Sequence, residues 1–310
     1  MRTGKDVYCE KAPWLTMAQG QGVVETARRY GRVYQTGAQK LSEPNHVFAI
    51  EVARTGRLGQ IHTAYADCRW RAGLRHDWLP AQPEPPKEEL DWDVWLGPCP
   101  WRPYNSGYVN DEVWWYRGWH DHYDFVSDVA AIGSHTVAQA LAGLDMTNVF
   151  FIEFEYEGPD VTMMTHLSNG VRLVLYRGGT VWEPCRFWYG ACGERFDGPE
   201  GWVAAADNYS GPDVSSPALL REYKSVLADY TARTQRPFNH VRDFLDCVRS
   251  RRPTVANPDV ICRPMNICLA ADICEQLKRS LKFDLRKAEF VGDPEANRMR
   301  SRAMRAPYVA

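Results

Sequence analysis

Hydrophobic and polar positions in the first sixty residues follow the order strand, helix, strand, helix. A short apolar run, Val7, Tyr8 and Cys9, stops abruptly at Glu10, Lys11, Ala12 and Pro13. Thr16 and Gln19 have the spacing of a capping box, and Val23, Val24, Ala27 and Tyr30 recur at helical period as far as Gly31. A second strand is expected over 32–36, and strand, helix, strand within about thirty residues is the signature of a parallel βαβ unit. After a turn at 37–40, a helix carrying Val47, Ile50 and Arg54 ends in Thr55-Gly56-Arg57-Leu58-Gly59, where the glycines suit a helix cap and a turn.

From residue 60 the period changes. Ile61, Thr63 and Tyr65 alternate with polar neighbours and begin a different sheet, so the domain boundary falls at Gly59: residues 1–59, then 60–310. Over 70–116 prolines break every pattern, and a loop of that length is functional or interfacial. A helix is expected around 135–144, then strands over 149–156, 161–167, 171–176, 186–189 and 202–206. Asn169-Gly170 is a hairpin signal and Gly178-Gly179 a turn. Apolar residues at helical spacing mark three later helices, the first with Leu219 and Tyr223, the second with Val241 and Phe244, the third over 265–281; the tail from Lys282 reads as charged and solvated. The expected fold is α/β plus α+β: a parallel-sheet unit of Rossmann type, then a mainly antiparallel open sheet with helices on one face.

Composition narrows the function classes. A chain of 310 residues, 45% hydrophobic and 25% charged, is ordinary globular material. A formal charge of -2 gives no general pull toward nucleic acid or an anionic membrane, which leaves a small molecule or another protein as partner. No run approaches the length of a membrane span. The 9 Cys are odd in number and contain no Cys-x-x-Cys, so neither a disulfide framework nor a zinc site is indicated; Cys262, Cys268 and Cys274 read as buried small hydrophobes. Many of the 12 Trp fall between Trp70 and Trp119, either as a sugar-stacking platform or as anchors pinning long loops.

Lys11 stands where a parallel strand opens at its carboxyl end toward a ligand crevice, which makes it a candidate for chemistry; the alternative is an exposed Glu10–Lys11 ion pair. His135 offers a group that titrates near neutral pH. His120 and His122 flank Asp121 without an identifiable third ligand, so no metal is assigned to them. Glu153 and Glu155 read as a solvated sheet face, and His166 as a pocket residue or a turn cap.

With these residues in hand, the chain resembles the Gfo/Idh/MocA family of NAD(P)-dependent sugar oxidoreductases. The likeness rests on Gly4 to Lys11, similar to the family's Glu-Lys-Pro motif and its lead-in strand; on Thr55 to Gly59; on Leu90-Asp91-Trp92-Asp93-Val94-Trp95-Leu96-Gly97-Pro98; on Gly133-Ser134-His135; and on the ending around Glu289 to Arg298. The resemblance implies hydride transfer between a sugar or polyol hydroxyl and NAD or NADP, with Lys11 and His135 catalytic, Glu10, Lys11, Pro13 and Gln39 on the cofactor side, no metal, and a homo-oligomer.

Three departures qualify that expectation. The family's opening strand and Gly-x-Gly-x-x-Gly turn are not in this sequence, and Gly20 and Gly22 lie inside a helical pattern, so the chain reads as N-terminally truncated with impaired cofactor binding. An export signal would belong to that missing part, which leaves localisation open. Glu-Lys-Pro is stretched to Glu10-Lys11-Ala12-Pro13. The two aspartates of the family's catalytic stretch fall on Ala131 and Ala138, with Asp128 as a nearby substitute. The alternative function is a non-catalytic homologue that keeps a carbohydrate-binding or assembly domain.

Overall fold

The structure is a computed structural model, and it describes residues 1–68, 74–109, 118–158, 162–176, 192–207 and 210–308. The opening unit is the expected one. Strand β1 (Val7–Cys9) leads into helix α1 (Met17–Tyr30), which returns to β2 (Tyr34–Thr36), and β1 and β2 pair in parallel with Val7 opposite Tyr34. The helix starts because Thr16 Oγ1 accepts from the Gln19 N–H at 3.2 Å, while Gln19 Oε1 reaches back to the Leu15 N–H at 2.9 Å. It stops at Gly31, whose φ of 57° is the left-handed geometry that a residue without a Cβ adopts freely.

A short 3₁₀ turn (Gln39–Ser42) then enters α2 (Pro44–Arg54), with Pro44 in the first turn where a missing N–H costs nothing. β3 (Thr63–Asp67) follows, then α3 (Trp92–Leu96) within the long loop, and α4 (Ala130–Gly143). Strands β4 (Phe151–Glu155), β5 (Met163–Leu167), β6 (Arg172–Tyr176), β7 (Glu194–Gly198), β8 (Gly201–Ala205) and β9 (Asp213–Val214) come next. Helices α5 (Pro217–Arg221), α6 (Tyr223–Thr234), α7 (His240–Ser250) and α8 (Pro258–Leu277) precede β10 (Leu281–Asp284), β11 (Glu289–Phe290) and α9 (Pro294–Arg298).

Nine of these strands form one sheet in the order β11-β10-β4-β5-β6-β3-β7-β8-β9. It is antiparallel except where β3 lies parallel to β6, with Tyr65 opposite Val174. The period-2 alternation separates its faces. Ala64, Ala66, Ile152, Phe154, Leu173, Leu175, Phe196 and Phe283 point to the helices and share one buried core with Phe48, Val137 and Ile273. Each of the isoleucine, leucine and phenylalanine side chains among them contributes about 1.5–3 kcal/mol when fully buried. Tyr65, Val174, Tyr176 and Ala204 point the other way, with Met164 and Trp202 packed against them. Helix α4 lies close on the sheet: a Cβ at Gly143 would come within 2.5 Å of the Phe196 ring.

Three features differ from expectation. The tail from Lys282 is mostly exposed or half-buried, but not throughout: Leu281 and Phe283 pair β10 with β4, and Phe283, Phe290 and Ala296 are buried. The third late helix ends at Leu277, four residues before the predicted end, because Leu281 belongs to that strand. Strand β7 was not expected, since Glu194-Arg195-Phe196-Asp197-Gly198 reads as polar. The strand expected over 186–189 and the Gly178-Gly179 turn lie outside the described residues.

The described part of the Trp-rich stretch folds on aromatic anchors. Trp92, Leu96 and Tyr108 form a small core of their own, and Arg102, 1% exposed, lies 4.6 Å from the centre of the Phe125 ring while pairing with Asp124. Trp78 and Trp101 remain exposed.

Candidate active site

Four chain segments converge beside the N-terminal half of α4. Lys11 leaves the carboxyl end of β1 and donates from Nζ to the carbonyl of Ala131 at 2.7 Å, in the first turn of α4. One turn further along that helix is His135, 6% exposed, whose Nδ1 finds no hydrogen-bond partner among the described residues. Burial first, and the ammonium groups of Lys11 and Lys40 after it, push the His135 pKa down to about 3 against the pull of Asp207. The imidazole is therefore neutral across the physiological range and presents an acceptor nitrogen.

The residues expected on the cofactor side form a second group. Gln39 Nε2 lies 3.3 Å and 3.4 Å from the two Glu10 carboxylate oxygens and 3.5 Å from Tyr8 Oη. Gly37 makes room for this, because a Cβ there would meet Glu10 Oε2 at 2.4 Å. Pro13 follows, half-buried, in the turn before α1. The structure thus brings Lys11 to His135 and Glu10 to Gln39. It does not join His120 to His122: His120 stacks on Trp119, and His122 packs edge-on against Tyr108.

Ala131 is half-buried next to Lys11, whereas Ala138 is 3% exposed within the core, so only the former has room for a carboxylate. Asp128 sits in the turn before α4. The carboxylate that holds this turn is Asp272 of α8: it accepts from the Val129 N–H at 3.0 Å and from Ser127 Oγ. Burial pushes its pKa up to about 6. Asp272 is the one charged residue between Pro264 and Cys274 of α8, and that was the available sequence signal.

A further group was not legible. His46 of α2, 2% exposed, places Nδ1 2.8 Å from Oε2 of the fully buried Glu194 on β7, and Gln139 Nε2 donates to the same oxygen at 2.9 Å. Gln139 lies one turn beyond His135 on α4. Lys40 bridges Glu43 and Asp207 at 2.9 Å and 2.5 Å. Burial opposes charge on His46, but Glu194 outweighs it and the pKa is raised. His240 is a satisfied core residue, with Nε2 2.8 Å from the Thr36 carbonyl and Nδ1 2.8 Å from Ser42 Oγ.

A parallel strand–helix–strand unit whose first strand delivers a lysine to the start of a helix is thus followed by a large, mainly antiparallel open sheet covered by helices. Residues 206–310 match the model for the C-terminal alpha/beta domain of the Gfo/Idh/MocA oxidoreductase family. Among solved structures, the WlbA dehydrogenase of Chromobacterium violaceum, in complex with NADH and UDP-GlcNAcA, superposes with a TM-score of 0.55 at 14% identity over 92% of this chain and 72% of that one. A probable dehydrogenase from Thermotoga maritima gives 0.51 at 16% identity over 93% and 75%, and a putative myo-inositol dehydrogenase from Sinorhizobium meliloti 0.51 at 11% over 90% and 74%. At such identities the likeness is one of fold. No protein of curated function matches the sequence. The resemblance to the Gfo/Idh/MocA family therefore holds in the fold of the chain and in the sequence of its C-terminal third. Among the described residues, no helix is long and apolar enough to cross a membrane.

Proposed function

We propose that the chain is an NAD(P)-linked oxidoreductase of Gfo/Idh/MocA type acting on a sugar or polyol hydroxyl, with Lys11 and His135 as its catalytic pair. The observation that carries this reading is the convergence of Lys11 and His135 on the first turns of α4. Glu10, Lys11 and Gln39 at the strand ends fit the nicotinamide side of a dinucleotide, whereas no glycine turn between a strand and a helix N-terminus is found among the described residues to hold its pyrophosphate. A bound nicotinamide supplies the hydride acceptor. The Lys11 ammonium stabilises the alkoxide developing on the substrate oxygen, and His135 Nδ1 takes the hydroxyl proton. General base catalysis of this kind contributes typically about 10²- to 10⁴-fold.

The low basicity of His135 weakens that step. With alanine at 131, Asp207 alone pulls against the two ammonium groups near the imidazole and does not outweigh them, so turnover is slow. The same observation favours a second reading, in which the fold is kept for carbohydrate binding or assembly without catalysis. A spectrophotometric assay of nicotinamide reduction against pyranoses, uronates and inositols separates the two: turnover with any of them supports the oxidoreductase, and saturable sugar binding without turnover supports the second.

A further inference from the structure

We infer that Glu43, His46 and Asp207 form a binding site for a divalent transition-metal ion of the zinc type, with Glu194 as the group that orients the histidine. Nothing in the proposed oxidoreductase chemistry uses these residues. One donor atom from each of the three lies within 4.8 Å of the others. His46 Nε2 is 3.9 Å from a Glu43 oxygen and 4.0 Å from an Asp207 oxygen, too far for a hydrogen bond. Bonds from zinc to nitrogen or carboxylate oxygen are about 2.0–2.2 Å, so tetrahedral donors stand roughly 3.3–3.6 Å apart, and these side chains reach a common ion by shifts of about half an ångström.

The independent observation is the histidine itself. It is 2% exposed, its Nδ1 is fixed by the fully buried Glu194, and its Nε2 makes no hydrogen bond among the described residues while pointing between the two carboxylates. A ligating histidine characteristically gives its second ring N–H to a carboxylate, which sets the tautomer and aims the free nitrogen at the metal. Local structure supplies the other pieces: Glu43 and His46 are three residues apart across the start of α2, and Asp207 follows β8.

Lys40 occupies this centre as an internal cation, bridging Glu43 and Asp207. The Glu43 and Asp207 carboxylates face a single ammonium between them, and a dication that displaces it neutralises the pair more fully. The mixed imidazole and carboxylate donor set favours zinc-type ions over magnesium, and three protein ligands leave one position open.

The test is titration of the chelator-treated full chain with Zn²⁺ against a chromophoric chelator, and with Co²⁺ followed by its visible absorption. We expect one equivalent of each, a tetrahedral cobalt band, and loss of at least about tenfold in affinity for His46→Ala or Asp207→Asn. Glu194→Gln, which removes the orienting carboxylate, weakens binding by about 10–100-fold. Lys40→Met removes the competing cation and strengthens binding, a gain that misfolding does not produce. The inference is overturned if no saturable equivalent binds, if His46→Ala binds Zn²⁺ as the parent does, or if Lys40→Met fails to bind more tightly. None of these readouts depends on oxidoreductase activity.

Discussion

Lys11 Nζ reaches the carbonyl of Ala131 at 2.7 Å, across 120 residues of sequence, and so ties the end of the first strand to the first turn of α4. That link sets the electrostatics of His135 one turn away, and a prediction about acid stability follows from it. The His135 pKa lies at about 3 when folded, through burial first and the two lysines second, against about 6.5 unfolded. Between those values the unfolded chain binds a proton that the folded one does not, so stability is lost as pH falls from about 6.5. By linkage, the loss between pH 7 and pH 5 is about 2 kcal/mol. Urea unfolding at both pH values will show His135→Gln spared most of that loss, with Lys11, Lys40, Asp207 and His240 unchanged around it; equal losses in both proteins would place His135 in a solvated site.

Binding of NAD(H) by this chain is expected to be weaker than micromolar. The helix that follows β1 is capped by Thr16 and Gln19 rather than opened by a glycine turn, so its N-terminal N–H groups are already engaged. Calorimetric titration gives the answer, and a sub-micromolar dissociation constant would show that the pyrophosphate is held elsewhere.

Asp272 holds the turn that starts α4, and Asp272→Ala leaves the buried Val129 N–H and the Ser127 hydroxyl without their acceptor. Such a loss costs about 1–3 kcal/mol. Because burial raises the carboxyl pKa to about 6, the folded parent gains a proton as pH falls from about 6 toward 4 and is stabilised there relative to the unfolded chain. The gap between parent and variant therefore widens over that window in chemical denaturation. A gap that narrows would reverse the sign assigned to Asp272.

The face of the large sheet opposite the helices carries Met164 and Trp202 beside Tyr65 and Val174. An open sheet with apolar side chains on its second face is expected to bury it against another copy. Light scattering over a range of concentrations should give at least a dimer, and Trp202→Lys should shift it toward the monomer. A monomeric mass at every concentration contradicts this.

The elements with strong local signals were legible in the sequence. The capping box at Thr16 and Gln19, the parallel pairing of β1 with β2 and the alternation of β4, β5 and β6 all follow from patterns within a few residues. Strand β7 was hidden because its inward positions include Glu194, a charged residue buried only because His46 and Gln139 receive it. β10 was hidden because Lys282 and Asp284 alternate with two core residues at the start of a basic tail. For the site, Lys11 and His135 were recognisable from motifs, but the cluster of Glu43, His46, Glu194 and Asp207 depends on three separate elements of the fold. No spacing along the chain encodes it beyond the interval between Glu43 and His46.

The proton chemistry proposed for Lys11 and His135 is that of a sugar oxidoreductase weakened by alanine at 131. Its most direct measurement is the rate of nicotinamide reduction, at saturating cofactor, for the parent, Lys11→Ala, His135→Ala and Ala131→Asp on the best substrate of a sugar and inositol panel. Ala131→Asp sets a carboxylate beside Lys11 in the first turn of α4, where the helix dipole favours it, and raises the basicity of His135. The expected result is a slow parent rate, at least about tenfold slower with either alanine substitution and faster with Ala131→Asp. A rate that His135→Ala leaves unchanged would show that this histidine is structural and that the active site lies elsewhere.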